Sequence, residues 1–279
     1  MIGFIGLGVM GEPMCRNLAA KSGAPILGYD LNPAPISRLR IAAANSLEEV
    51  AERCDTVFLS LPGVEEVRAV CAALRMRRGS CVVDLSTTTV ALARELHAKL
   101  GAQGIDFADA PVARTRAAAE SGTLAVMVGA TEAVFKRIRP LLAHFGADVS
   151  HCGEPGAGQA TKLINNMVLF QNVVALAEAF TLARKAGLAP ERLFQTLTSG
   201  SADSFALRNH GMKALLPEDF PERAYSVEYA LKDLGYLLEL AAQAGLELPG
   251  AQTARAALER AKVAGHGRKY FPVLVKTLG

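Results

Sequence analysis

Met1-Ile-Gly-Phe-Ile-Gly-Leu-Gly-Val-Met-Gly11 opens the chain, and the order of its apolar and glycine positions decides the fold. Ile2 to Ile5 is a short apolar run of the kind that forms a strand buried on both faces, and Gly6-Leu7-Gly8-Val9-Met10-Gly11 follows without a gap. From Glu12 to Ala20 the pattern turns helical. Strand, GxGxxG turn and helix in that order make a dinucleotide fingerprint. Gly6 permits the tight turn, Gly8 lets backbone approach a pyrophosphate, and Gly11 lets helix and strand pack closely, while the helix N-terminus faces the anion. The intervening Leu7, Val9 and Met10 belong to the same expected cofactor turn.

A second strand over Pro25–Tyr29 ends at Asp30, about 20 residues past the glycines, where a ribose-binding carboxylate belongs. A carboxylate accepts from the 2′- and 3′-hydroxyls but repels a 2′-phosphate, so NAD is expected over NADP. Arg38 is the nearby cation that would offset the repulsion.

Strand and helix continue to alternate. A helix is expected from Ser46 to Arg53, with Ser46 as N-cap and Glu49 completing a capping box. Asp55–Leu61 reads as a buried strand, and Leu61 and Pro62 at its carboxyl end are candidate cofactor walls, since doubly wound sheets hold ligands outside those ends. After a helix over Glu65–Leu74 and a strand over Ser80–Asp84 come Ser86, Thr87 and Thr88, whose hydroxyls either face the nicotinamide or cap the next helix. Beyond a strand at Ile105–Phe107 lies the least regular stretch, from Asp109 to Leu124, carrying Arg114, Thr115 and Arg116. Its arginines either hold a substrate acid bidentately or face solvent. Such repetition specifies an α/β chain whose N-terminal part is a Rossmann-type doubly wound sheet, over residues 1–156.

From Gly158 onward the pattern is helical only, so an all-α domain is expected over residues 157–279. Gly156-Ala-Gly-Gln-Ala-Thr-Lys162-Leu-Ile-Asn-Asn166 opens its first helix, nearly free of breakers to Ala186 and roughly 40 Å long. Lys162 and Asn166, four apart, share one face of it. A lysine near a helix start opposes the macrodipole, and its apolar neighbours make a merely solvated role the weaker reading. The helix's apolar excess suggests a homo-oligomer contact, and the domain boundary suggests a site in an interdomain cleft.

Composition narrows the class. The 279 residues carry 30 basic and 27 acidic side chains, a net charge of +3, which gives no electrostatic footprint for nucleic acid or membrane. Five cysteines without a CxxC pair or neighbouring histidine spacing point to a reduced, cytoplasmic chain without a metal site. No basic leader precedes the first strand, and no uninterrupted apolar run reaches about 20 residues.

Taken together, the motifs resemble the β-hydroxyacid dehydrogenase family, which includes 3-hydroxyisobutyrate dehydrogenase and tartronate semialdehyde reductase. FIGLGVMGEPMCRNL is similar to its cofactor motif, DAPVARTRAAAESGTLAVMVGA occupies the place of its substrate motif, GAGQATKLINNM is similar to its catalytic motif, and LKDLGYLLELA to its downstream lysine motif. The resemblance implies that Lys162 is the catalytic lysine, that Asn165 and Asn166 bind substrate, that Lys232 lines the cofactor site, and that Thr87 contacts the cofactor. It also implies an acidic small-molecule substrate and a homodimer or homotetramer. One departure stands out. Family members commonly have Ser-Gly-Gly where this chain has Ala113-Arg114-Thr115. The Arg-Thr pair resembles the branch containing sulfolactaldehyde reductase and implies that Arg114 anchors the substrate's acid. Two rivals follow: an imine reductase of the same architecture, which usually carries another residue in place of Lys162, and a non-catalytic NAD-sensing module, which has no use for Lys162, Asn166 and Lys232 together.

Overall fold

The computed structural model describes residues 1–222 and 224–278, and the chain divides into two compact units, Met1–Lys162 and Leu163–Gly279. In the first unit, strands and helices follow one another as β1 (Ile2–Ile5), α1 (Gly11–Lys21), β2 (Ile26–Tyr29), α2 (Ala34–Leu39), β3 (Ala42–Ala43), α3 (Leu47–Arg53), β4 (Thr56–Leu59), α4 (Val64–Ala73), β5 (Cys81–Asp84), α5 (Val90–Ala102), β6 (Asp106–Asp109), β7 (Val112–Ala113), α6 (Arg116–Ser121), β8 (Leu124–Gly129), α7 (Glu132–Leu142) and β9 (Gly146–Gly153). They form one sheet in the order β3-β2-β1-β4-β5-β6-β8-β7, with β9 alongside β8. From β3 to β6 every pairing is parallel, whereas β8 meets β6 and β7 antiparallel. β1 lies between β2 and β4, so the strand order reverses there, at the switch point where doubly wound sheets take their ligands.

Alternation along the strands fills two separate cores. Ile2, Phe4, Phe58, Cys81 and Val83 pack on one face of the sheet, and Ile5, Val57, Leu59 and Val82 on the other. Phe58 stacks on Phe4 and meets Phe145 edge-on, each at 6.0 Å between ring centroids. Burial on both faces explains the unbroken apolar strands read from the sequence.

Two expectations need correction, and one of two alternatives falls away. Ser46 does cap α3 by accepting from the Glu49 amide, but the Glu49 carboxylate reaches the amide of Asn45 and not that of Ser46, so the capping box is displaced by one residue. The cap of α5 is Thr89, which accepts from Leu92, and not any of the three hydroxyl residues before it. The irregular stretch after Asp109 contains β7 and α6. α6 is only six residues long, and Asn17 of α1 donates to its Ala119 carbonyl at 2.9 Å and to that of Glu120 at 3.3 Å. A helix that short relies on tertiary partners for its last carbonyls.

α8 (Ala157–Lys185) begins in the first unit and continues into the second. Among the described residues it alone is long and apolar enough to cross a bilayer by length and composition, yet 44% of that stretch is buried within the protein. Ile164, Val168 and Leu182 lie along one exposed flank, so the helix is less enclosed than its composition suggested. α9 (Pro190–Leu197), α10 (Val227–Gln243) and α11 (Pro249–Ala261) follow. Between α9 and α10, Leu207–Leu215 is a π-helix, and Phe271–Thr277 is a 3₁₀ turn. Phe170, Tyr225 and Phe271 form the aromatic centre of this unit.

Candidate active site

The glycine turn after β1 has the geometry its sequence implied. Gly6 has φ +89°, and a Cβ there would lie 2.2 Å from the Ser60 carbonyl oxygen, while one on Gly11 would lie 2.0 Å from that of Gly6. A side chain on Gly6 would push the turn away from the loop after β4, and one on Gly11 would push α1 away from the turn after β1. Gly8 differs, because nothing lies within 4 Å of its missing Cβ. That open space at the start of α1 is where a pyrophosphate can approach backbone, so the residues present fit a dinucleotide.

At the tip of β2, Asp30 accepts from the Leu7 amide at 2.6 Å and from the Asn32 amide at 2.7 Å, one on each carboxylate oxygen. The carboxylate is thereby aimed while keeping lone pairs for two ribose hydroxyls. Arg38 is committed elsewhere. Its guanidinium holds Glu12 bidentately at 2.9 and 2.7 Å, and that contact is the main reason Glu12 titrates below its usual range. The nearby cation that would offset Asp30 is therefore occupied.

The first turn of α8 is fastened to the carboxyl ends of β5 and β6 by groups whose role the sequence did not disclose. Asp109, wholly buried, accepts from the amides of Gly156 and Gln159, both at 2.7 Å. Burial pushes its carboxyl up to about 6, against the opposing pull of those amides. Gln159, also wholly buried, accepts from the Thr88 amide at 3.0 Å and donates to the Ser86 carbonyl at 2.7 Å. Ser86 in turn accepts from the Leu61 amide at 2.9 Å, which fixes the loop carrying Leu61 and Pro62. Lys162, half-buried, follows Gln159 by three residues on this anchored turn. Thr87, half-buried, lies on the β5 loop between Ser86 and Thr88.

Arg114 has φ +86°, a left-handed conformation that favours glycine. The arginine that departs from the resembled Ser-Gly-Gly pattern therefore carries a backbone cost. Its guanidinium donates to the Thr123 carbonyl at 2.6 Å and pairs with Asp148. Thr115 begins α6 without making a side-chain cap and is exposed.

In the second unit, Asn166 is 3% exposed and donates through Nδ2 to Asp233 Oδ2 at 2.9 Å and to the Tyr225 hydroxyl at 3.3 Å. Tyr225 also donates to Asp233, and burial, with the adjacent carboxylate, pushes its phenol well above the ordinary range. Asn165, exposed, donates to Asn166 Oδ1 at 3.2 Å. Lys232 Nζ stands 3.3 Å from Asp233 Oδ1 and over the rings of Tyr229 and Tyr236, at 5.2 and 5.5 Å from their centroids. Asn166, Tyr225, Lys232 and Asp233 thus form one network, of which helical spacing pointed to Asn166 and the family resemblance to Lys232, while Tyr225 and Asp233 went unnoticed. His210 is structural: burial lowers it to about 4, and its ring meets the Tyr270 hydroxyl.

Comparison with known proteins identifies the family. Residues 1–153 match the NAD binding domain of 6-phosphogluconate dehydrogenase, and residues 156–278 match the NAD-binding region of NADP-dependent 3-hydroxyisobutyrate dehydrogenase. A 2-(hydroxymethyl)glutarate dehydrogenase of Eubacterium barkeri is 35% identical, with 99% of this chain and 93% of the relative covered. The 2-hydroxy-3-oxopropionate reductase of Escherichia coli is 31% identical, with 99% and 96% covered. Among solved structures, the Mycobacterium tuberculosis 3-hydroxyisobutyrate dehydrogenase with L-serine has a TM-score of 0.90 at 34% identity, covering 99% of this chain and 98% of that one. With both units matched and relatives aligned over nearly their whole length, the chain belongs to the β-hydroxyacid dehydrogenase family.

Proposed function

We propose that the protein catalyses reversible hydride transfer between NAD(H) and a small acidic 3-hydroxy acid or its semialdehyde. The observation that carries the reading is the anchored start of α8, where Asp109 and Gln159 fasten the turn before Lys162 to the carboxyl ends of β5 and β6. That edge of a doubly wound sheet is where ligands bind. The substrate class is supported by the names of the relatives above, each of which describes a compound with an alcohol or aldehyde carbon β to a carboxylate.

The dinucleotide, when bound, supplies or takes the hydride. The chain does the rest. Gly6, Leu7, Gly8, Val9, Met10 and Gly11 hold the pyrophosphate, Asp30 the ribose hydroxyls, and Leu61, Pro62, Thr87 and Lys232 line the rest of the cofactor site. Lys162 gives a proton to the developing alkoxide in reduction and takes the hydroxyl proton in oxidation. Asn165 and Asn166 orient the substrate, and Arg114 with Thr115 holds its acid. With Arg38 occupied by Glu12, the carboxylate of Asp30 favours NAD over NADP. The exposed flank of Ile164, Val168 and Leu182 is the surface on which a homodimer or homotetramer would form.

A panel of acidic semialdehydes with NADH, followed by loss of the reduced cofactor's absorbance, tests the reading. Turnover of at least one is expected. Turnover of none, with NADH bound, overturns it.

A further inference from the structure

We propose that Asn17 of α1 is a positioning residue for Arg114, because it holds the end of α6 on which the Arg114 guanidinium is seated. The inference rests on the proposed function, in which Arg114 holds the substrate's acid.

Asn17 is 8% exposed, and its Nδ2 donates to three carbonyls: Pro13 of its own helix at 3.0 Å, Ala119 of α6 at 2.9 Å and Glu120 at 3.3 Å. A carboxamide nitrogen has two hydrogens, so one of them is shared. The flipped amide would turn Oδ1 on three carbonyl oxygens and is excluded. Both α6 acceptors belong to its last turn, whose carbonyls a helix of six residues cannot satisfy by itself. α6 has little apolar hold of its own, since Ala119 is its one buried residue.

Side by side, the two helices run in the same direction. Glu12, in the first turn of α1, is held below its usual range by Arg38 first and more weakly by Arg16 and by Arg116 at the start of α6. Asn17 reaches the end of α6. Gly122, just beyond, lies so close to α1 that a Cβ there would meet Lys21 Nζ at 2.6 Å and Asn17 Oδ1 at 3.0 Å. The Arg114–Thr115 end of α6 therefore lies toward the glycine turn, where α1 begins.

From the far end, the chain returns to Arg114. The Ala118 carbonyl accepts from the Thr123 amide at 2.8 Å, and the Thr123 carbonyl accepts from the Arg114 guanidinium at 2.6 Å. At the base, β7 and β8 pair Ala113 with Ala125. Residues 114–123 are thus the tip of an antiparallel ribbon, and Asn17 supplies hydrogen bonds that fasten this tip to α1. Without those donors the last turn of α6 moves together with Thr123, and the guanidinium loses its fixed seat.

Two variants test this. Asn17→Ser keeps a donor for the Pro13 carbonyl within α1 but falls short of α6, and Asn17→Asp keeps the shape and loses both hydrogens. With 3-oxopropionate and NADH, either change should raise KM about tenfold, with kcat within about twofold and NADH affinity within about threefold of wild type. In Asn17→Asp, KM relative to wild type at the same pH should recover between about pH 8 and 6, because a buried carboxyl facing carbonyl oxygens takes up a proton and then donates it. In an Arg114→Ala background, Asn17→Ser should change KM by less than about twofold, since its effect runs through the arginine. An unchanged KM in Asn17→Ser, a kcat loss larger than the KM rise, or full additivity with Arg114→Ala overturns the proposal. Hydrogen exchange needs no turnover: the Gly122 and Thr123 amides should be protected in wild type and lose protection in Asn17→Ser, and equal exchange in the two overturns the proposal. An Arg114→Ala enzyme with wild-type KM removes the anchor, and the proposal with it. Absence of wild-type turnover on every semialdehyde counts against the proposed function, while exchange still decides whether Asn17 holds α6.

Discussion

Replacing Gln159 by alanine would separate two properties that the start of α8 combines, its anchorage and the placement of Lys162. The side chain is wholly buried and joins the Thr88 amide to the Ser86 carbonyl, and those residues are themselves 0% and 4% exposed. Truncation leaves one donor and one acceptor without partners in a dry site, at about 1–3 kcal/mol each. Against that, alanine is the better helix former by a few tenths of a kcal/mol, and about 1–1.5 kcal/mol of side-chain ordering is no longer needed. From the middle of those ranges the net expectation is a loss of about 2.5 kcal/mol. Urea denaturation followed by circular dichroism is the suitable assay, since the chain has no tryptophan. Because Lys162 lies three residues further along the loosened turn, kcat should also fall by roughly ten- to a hundredfold in the folded fraction. A change below about 0.5 kcal/mol refutes the anchoring, and a destabilised enzyme with full kcat refutes its link to Lys162.

Other consequences can be measured alongside it. Asp109 has a folded value near 6 against an ordinary 3.8, so the native state holds its proton more tightly than the unfolded chain does. The contribution, (6 − 3.8) × 1.36 or about 3 kcal/mol, is fully present below the unfolded value and is lost as pH rises through about 6. The stability difference between wild type and Asp109→Asn should therefore change between pH 4 and 7, and a flat difference contradicts the assignment. Glu12→Gln weakens the hold on Arg38 and should raise kcat/KM for NADPH relative to NADH; a wild type that already prefers NADPH refutes the role given to Asp30. Asp148→Asn frees the Arg114 guanidinium and should lower KM for the acidic substrate several-fold with little change in Tm, since the pair is exposed. An unchanged KM in both Asp148→Asn and Arg114→Ala removes Arg114 as the acid anchor.

Local pattern carried the cofactor half of the molecule. Gly6, Gly8 and Gly11 at fixed spacing, with Asp30 at the next strand end, are demands of backbone geometry that a sequence writes directly, and the two-faced burial of β1, β4 and β5 shows as unbroken apolar runs. The stretch after Asp109 was less legible, because six residues of α6 carry no period of their own and stand only with Asn17 of α1 at their end. Gln159 was visible as a letter but not as a clasp, since its partners lie 71 and 73 residues away. Asn166 is the sharpest case. Spacing put it on the face of Lys162, but whether it gives or takes a hydrogen depends on Asp233, 67 residues further on. Nothing in spacing announces that pairing.

The central claim is that Lys162 moves the proton, and Lys162→Ala tests it directly. NADH titration by fluorescence should give the wild-type affinity, because the glycine turn and Asp30 are untouched, while turnover of the best semialdehyde should fall by about a thousandfold. Turnover within tenfold of wild type, with NADH bound equally well, would contradict the account.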